Sequence, residues 1–347
     1  MKLVRTFHPV GHGAFCTERF YDARNNNIAN IVYDCGTKTN IGNLLTHINK
    51  EFTPADTINA VFISHFHEDH INGLFDLCHR CHVQKIIVPL LPNDYKVWTI
   101  LYNAINYGAS SVANRVLLGN LTNDNPFRDA ETIFVENDYT LPLSPSTHNH
   151  PLWEYRAYRL PNYSPTFSHR YTQLIQALQS DPLFSSVFNN GNLNCRSLYR
   201  LLASAQNINI LKNILKSNHI RLDNNSFNMI VSSQRTRHFA LPFPSYFGCL
   251  YTGDAELKSR KRMTSLQSRF TMNKWNYHII QVPHHGANKN NHNRALYDKW
   301  QLCIISAKKH DLHHPNTQVI ADIINKNCLP KIVTEDPRTM AQLTYII

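Results

Sequence analysis

Apolar positions along the chain fall into two rhythms. Short continuous or alternating runs at 2–10, 15–21, 27–33, 60–64 and 85–89 predict strands. Between them, 40–52 carries apolar residues at 41, 44, 45 and 48, which is helical spacing; 71–81 and 97–109 read the same way. Later strands are predicted at 132–135, 153–160, 226–232, 247–252, 277–282, 302–306 and 331–334, with helices over 169–178, 196–216, 256–266 and 317–327. Prolines at 142, 145, 151, 161 and 165 mark loops. No fixed-period repeat and no Gly/Ser or Pro-rich linker divides the chain. The expected organisation is a single α/β domain over 1–347 with a mainly helical insertion at about 162–224.

Composition narrows the class. Of the 347 residues, 42% are hydrophobic and 17% charged, enough for a sizeable core and unlike a disordered tail or a disulfide-stapled miniprotein. Lys and Arg number 35 against 24 Asp and Glu, a formal charge of +11 that favours anionic partners. No apolar run approaches the ~18 residues of a membrane span, and the start lacks the ~7–15-residue apolar stretch of a signal peptide. A soluble cytoplasmic protein with no membrane partner is expected. The eight scattered cysteines then stay reduced, and Cys78 and Cys81 have no second pair at zinc-finger spacing.

Histidines number 20 and cluster at 65–70, 148–150, 284–285 and 310–314. Ser64-His65-Phe66-His67-Glu68-Asp69-His70 follows a buried strand and precedes a helix. On extended backbone His65 and His67 face one side, while Asp69 and His70 turn toward a second point. This arrangement suits two divalent ions, Zn2+ or Mn2+. Asp254 ends the apolar strand Leu250-Tyr251-Thr252-Gly253 and is the candidate bridge, against a helix-capping role. His284 and His285 follow another strand; one is a candidate ligand and its neighbour reaches the substrate. Asp69, Asp254, His284 and His285 form the candidate catalytic set. His313 and His314 are weaker candidates, His314 for substrate. His148 and His150, in a proline-rich loop, are candidates for the first ion's shell, against a solvated loop.

Taken in order, Val10-Gly11-His12-Gly13, Asp34-Cys35-Gly36, the HxHxDH segment, Asn225-Ser226, Thr252-Gly253-Asp254, His284-His285-Gly286 and His314-Pro315 resemble the metallo-β-lactamase fold. Within it the chain is most similar to the ComEC-type (competence protein) branch, whose pattern runs VGQGD, DxG, SHxHxDHxGG, NxxS, LTGD, HHGS and GHP. The resemblance covers all but the 162–224 insertion. It implies an αββα sandwich with the metal site along one edge, and phosphodiester hydrolysis by a standalone soluble member. Five positions depart from the pattern: His12-Gly13-Ala14 replaces Gln-Gly-Asp, Asn72-Gly73 replaces Gly-Gly, Ala287 replaces Ser, and Lys308 replaces a glycine. These bear on the substrate pocket more than on the metals.

The chemistry expected is hydroxide supplied from water at a dinuclear site, with His284, His285 and the Lys308-Lys309 pair holding phosphate oxygens or protonating the leaving group. The basic run Lys258, Arg260, Lys261 and Arg262 either leads a nucleic-acid backbone to the site or is a solvated helix face. Tyr155, Tyr158, Tyr163, Phe167 and Tyr171 either stack bases or pack the core. Three functions follow: a nuclease acting on DNA or RNA, favoured by charge; a small-molecule phosphodiesterase on cyclic nucleotides or phosphorylcholine-like esters; and a non-catalytic metal-binding partner protein, disfavoured by the intact ligand set.

Overall fold

The structure is a computed structural model that describes residues 1–119, 127, 129–144, 151–160, 166–222, 227–236, 247–270, 277–289 and 292–347. The first apolar runs form β1 (Lys2–Phe7), β2 (Gly13–Tyr21) and β3 (Asn27–Thr37), followed by α1 (Ile41–Glu51). Asn40 caps α1 by accepting the Asn43 N–H, and the helix buries Leu44, His47 and Ile48. Then come β4 (Thr57–Ile58), β5 (Ala60–Phe62), α2 (Glu68–Ile71), α3 (Leu74–Arg80), β6 (His82–Val83), β7 (Lys85–Pro89), α4 (Asn93–Tyr107), α5 (Val112–Leu118) and β8 (Glu131–Val135). Next are β9 (Asp138–Leu143) and β10 (Trp153–Arg159). The middle of the chain holds α6 (Phe167–Gln179), α7 (Pro182–Ser185), a hairpin of β11 (Phe188–Asn189) and β12 (Asn192–Leu193), α8 (Cys195–Leu202) and α9 (Ala205–Ser217). The remainder is β13 (Met229–Arg235), β14 (Cys249–Tyr251), α10 (Arg260–Arg269), β15 (Ile279–Gln281), β16 (Leu302–Ser306), α11 (Thr317–Asn325), β17 (Leu329–Val333) and β18 (Ala341–Ile346).

Two seven-stranded sheets result, ordered β18-β1-β2-β3-β5-β7-β8 and β17-β16-β15-β14-β13-β10-β9. β3, β5, β7 and β8 run parallel in the first, and β14 through β17 in the second. Their apolar faces meet, with Leu3, Phe7, Phe20 and Phe62 of one packed in the same core as Trp153, Tyr155, Met229 and Ile279 of the other. Helices α1, α3, α4, α5 and the α6–α9 group bury their apolar sides on the outer face of the first sheet. α10 and α11 do so on the second. The layering is therefore α–β–β–α. A polar knot crosses the inner core: buried Glu18 takes Arg5 Nε at 2.6 Å, Tyr251 Oη at 2.6 Å, Ser233 Oγ at 2.7 Å and the Tyr155 hydroxyl. Four donors on one buried carboxylate offset its desolvation.

Several expectations need correction. The 71–81 helix is two short helices, because the Asn72 side chain pairs with both the N–H and C=O of Thr37 and pulls the chain into a turn at Gly73. The 196–216 helix breaks between α8 and α9, where Asn207 Nδ2 donates to the Leu201 carbonyl. The 256–266 helix starts only at Arg260, since Ala255 and Leu257 are drawn inward and fully buried. Pro142, read as a loop marker, lies in β9, an edge strand whose outer N–H groups need no partner. α5 and β18 were not anticipated. Among the described residues, no helix is long and apolar enough to cross a membrane. All eight cysteines are free.

Candidate metal centre

Loops at the C-terminal ends of the parallel strands in both sheets meet along one edge. The β5–α2 loop brings His65 and His67, and α2 itself Asp69 and His70; the segment after β14 brings Asp254; the turn after β15 brings His284 and His285. Glycines permit the close approach. A Cβ at Gly36 would lie 2.5 Å from the Asp69 carbonyl carbon and the His70 nitrogen. At Gly253, which has φ +52°, a Cβ would lie 2.5 Å from Ser64 Cβ. His284 and His285 adopt left-handed φ values of 49° and 54°. Such strain costs of order 1–3 kcal/mol per residue and is often found at functional sites.

Two ligand groups share one carboxylate. Single donor atoms of His65, His67 and Asp254 lie within 4.8 Å of one another, as do those of His70, Asp254 and His285. His65 Nε2 is 3.6 Å from Asp254 Oδ2, and His70 Nε2 is 3.2 Å from Asp254 Oδ1. Asp69 Oδ2 lies 3.4 Å from His285 Nε2 and 3.9 Å from His70 Nε2. All six side chains are buried. Asp254 does not cap a helix, since α10 begins six residues later.

The opposite ring nitrogens are occupied. His70 Nδ1 meets Asp34 Oδ2 at 2.8 Å, and His285 Nδ1 donates to the Ser306 carbonyl at 2.9 Å. His65 Nδ1 meets Ser64 Oγ at 2.8 Å, and that hydroxyl in turn donates to Asp34 Oδ2 at 2.8 Å. These partners leave Nε2 of each ring for a metal. Asp34 is the extra residue of a β-bulge: Cys35 pairs with Phe15 and Tyr33 with Cys16, while Asp34 takes φ +52°. The bulge turns its carboxylate out of the ladder toward Ser64 and His70.

The electrostatics fit a divalent cation. Asp34, Asp69 and Asp254 bring three buried carboxylates together. Burial alone would raise the Asp69 carboxyl, but His70, His285 and Lys38 hold it well below the ordinary range. Asp254 is likewise held low against burial by His284, His70 and His65. Burial would lower His70, yet Asp254, Asp34 and Asp69 raise it well above the usual imidazole value. Burial pushes His67 down to about 3, so its ring is neutral with a lone pair available. Buried His70 Nε2 makes no aligned hydrogen bond. An imidazole–carboxylate set of this kind, tied from behind, suits a divalent metal ion.

A rim surrounds this cage. His284 is partly exposed, with Nε2 3.8 Å from Asp254 Oδ2, and its ring lies 6.0 Å from that of His314 in parallel orientation. The His12 ring lies against that of His285, tilted by 42° with centroids 4.0 Å apart, and puts Nε2 3.6 Å from Asp69 Oδ2. Lys38 Nζ lies 2.8 Å from Asp69 Oδ1. Burial would raise the Asp311 carboxyl, but the His313 and His314 N–H groups hold it low.

Of the expected site residues, His65, His67, Asp69, His70, Asp254, His284, His285 and His314 are thus gathered at one edge. His313, Lys308 and Lys309 are exposed; Lys309 Nζ lies 3.6 Å from Asp336. Arg260 and Lys261 are exposed at the start of α10, and Arg262 pairs with Glu256. His148, His150, Asn225, Ser226 and Tyr163 lie outside the described residues. Tyr155 and Tyr158 are core residues, and Phe167 packs among α4 and the middle helices. Asp34, His12, Lys38 and Asp311 were not expected at the site. For Asp34 the signals were its place at a strand end and its match, as Asp34-Cys35-Gly36, to the DxG of the resembled family.

An αββα sandwich with His and Asp gathered on the loops of one edge is the metallo-β-lactamase fold. Residues 26–98, spanning β3 to the first turns of α4, match the sequence profile of the metallo-beta-lactamase superfamily. No curated protein matches this chain in sequence. Similar solved structures include unliganded yeast PDE1, 10% identical with a TM-score of 0.45, covering 100% of both chains. A long-form RNase Z from yeast is 11% identical with a TM-score of 0.37, covering 96% of this chain and 37% of its own. The Rm3 metallo-beta-lactamase is 10% identical with a TM-score of 0.31, covering 74% of this chain and 64% of its own. This chain thus spans less than two thirds of the last two.

Proposed function

We propose that this chain is a metal-dependent phosphodiester hydrolase of the ComEC-type branch, acting on DNA or RNA. His65 and His67 would hold one Zn2+ or Mn2+, and Asp69, His70 and His285 the other, with Asp254 between them. The observation that carries the reading is that Asp254 faces both histidine groups with different oxygens. Bound ions of this kind lower the pKa of water and neutralise charge developing on a phosphate. Asp34 and Ser64 fix the rings that hold them. His284, partly exposed on the same side, is placed to hold a nonbridging phosphate oxygen, and His314 stands beside it. The net charge of +11 favours a polyanionic substrate. The free cysteines suit a reducing cytoplasm.

The test incubates the protein, loaded with Mn2+ or Zn2+, with plasmid, oligonucleotides and cyclic dinucleotides, with Asp254→Asn as the control. Cleavage of DNA or RNA that the variant loses supports the proposal. Hydrolysis of the cyclic dinucleotide alone would give the small-molecule reading instead. Wild-type turnover by Asp254→Asn would remove the bridging role.

A further inference from the structure

We propose a third metal site on the rim of the centre, formed by His12, Asp311 and His314, which takes a divalent transition ion such as Zn2+. His12 Nδ1 lies 3.8 Å from Asp311 Oδ2, and His314 Nδ1 lies 3.6 Å from Asp311 Oδ1. One donor atom from each of the three falls within 4.8 Å of the others. Neighbouring ligands around a tetrahedral zinc, with bonds of about 2.0–2.2 Å, stand about 3.3 Å apart. The observed spacing therefore needs only small side-chain shifts to close on an ion.

The ligands are held rather than loose. Asp311 Oδ1 accepts the backbone N–H groups of His313 at 2.7 Å and His314 at 3.0 Å, which orients the carboxylate as an anion. The His12 backbone N–H donates to Thr39 Oγ1 at 2.8 Å. The His314 loop is tied to the turn after β15 by Asn316 N–H donating to the Gly286 carbonyl at 3.0 Å. The side chains are 21%, 16% and 23% exposed, so they are shielded enough to bind and open enough to admit a ligand. Two imidazoles and one carboxylate leave at least one position open, as in catalytic zinc sites. An anionic oxygen of a substrate phosphate is the group that position would take. The site adjoins the second ion's candidate ligands, since His12 also groups with Asp69 and His285, but Asp311 and His314 belong to none of the groups around Asp254.

Asp311→Asn is the informative variant. Its amide oxygen can still accept both backbone N–H groups, so the loop keeps its shape, while the charge facing His12 is lost. Zn2+ bound per chain is counted by native mass spectrometry, with affinities from chelator competition. The expected result is one equivalent fewer in Asp311→Asn and in His314→Ala than in wild type, with that equivalent undiminished in His65→Ala. Equal zinc counts in wild type and Asp311→Asn would overturn the site. Because the readout is the difference removed at Asp311, it stands apart from the two-ion reading. Failure of that reading would show as a count unchanged by His65→Ala while the Asp311-dependent equivalent persisted.

Discussion

Asp34→Asn should weaken one metal site while leaving the protein folded. The carboxylate makes three hydrogen bonds: Ser64 N–H at 2.7 Å, Ser64 Oγ at 2.8 Å and His70 Nδ1 at 2.8 Å. Asparagine has the same shape and keeps an oxygen for the Ser64 N–H. It puts an NH2 where Oδ2 accepted, so His70 Nδ1 must become the acceptor. With Nδ1 an acceptor, the ring's remaining proton sits on Nε2, the atom 3.2 Å from Asp254 that a metal would need. Ser64 Oγ can still accept from His65 Nδ1, so the His65–His67 side is spared. Changes of this kind behind a ligand cost about 10–100-fold in metal affinity, or about 1.4–2.8 kcal/mol. The assay is Zn2+ competition against a chromophoric chelator, with histidine tautomers read by long-range 15N–1H NMR. One equivalent should weaken by that factor, with His70 carrying its proton on Nε2 in the metal-free variant. If every equivalent stays within threefold of wild type, the orienting role of Asp34 is wrong.

Gly36→Ala should displace α2, because its Cβ would stand 2.5 Å from the Asp69 and His70 backbone; about 1–3 kcal/mol of stability and much of the metal affinity should be lost, measured by denaturant melts and zinc titration. Burial lowers His8 to about 3, against about 6.5 when unfolded. The unfolded chain therefore takes the proton first, so stability is full above about pH 6.5 and falls as pH drops toward 3. At pH 5 the loss is about 2 kcal/mol, and it should be absent from the pH dependence of His8→Gln melts. Replacing exposed Lys258, Arg260 and Lys261 by alanine should weaken DNA binding across all sequences and flatten the log–log salt slope by up to about 3; an unchanged slope would return these residues to the role of a solvated face.

The residues legible in the sequence were those carried on short segments just after buried strands. HxHxDH, Asp254 and His284-His285 each follow such a run, so their convergence needed only the strands to be right. Asp34 was not legible as a site residue because its orientation comes from a register mismatch between β2 and β3, visible only when Phe15 and Cys16 are seen opposite Cys35 and Tyr33. His12 stood in the sequence only as a departure from a glutamine, and Asp311 was not marked at all; both are brought in by loop packing between sheets. The fold followed the same division. Periodicity located β7 and β16 to the residue, but not the breaks in helices, which depend on the side chains of Asn72 and Asn207 bonding to distant backbone. Pro142 misled because a proline tolerated at a sheet edge looks, locally, like one in a loop.

The candidate ligands come from both sheets: His65, His67, Asp69 and His70 from the first, Asp254 and His285 from the second. A metal held there is a clasp between the two halves of the sandwich, and it can close only once the sheets have docked. Any ion bound by the folded chain and not by the unfolded one adds about 2.7 kcal/mol at a hundred times its dissociation constant. Against a net stability of about 5–15 kcal/mol, the two proposed ions would form a large share. On the two-ion reading, the lifetime of this protein against proteases would follow the free metal in its surroundings. Starvation for metal would remove the protein as well as its activity, coupling abundance to supply without any separate sensor.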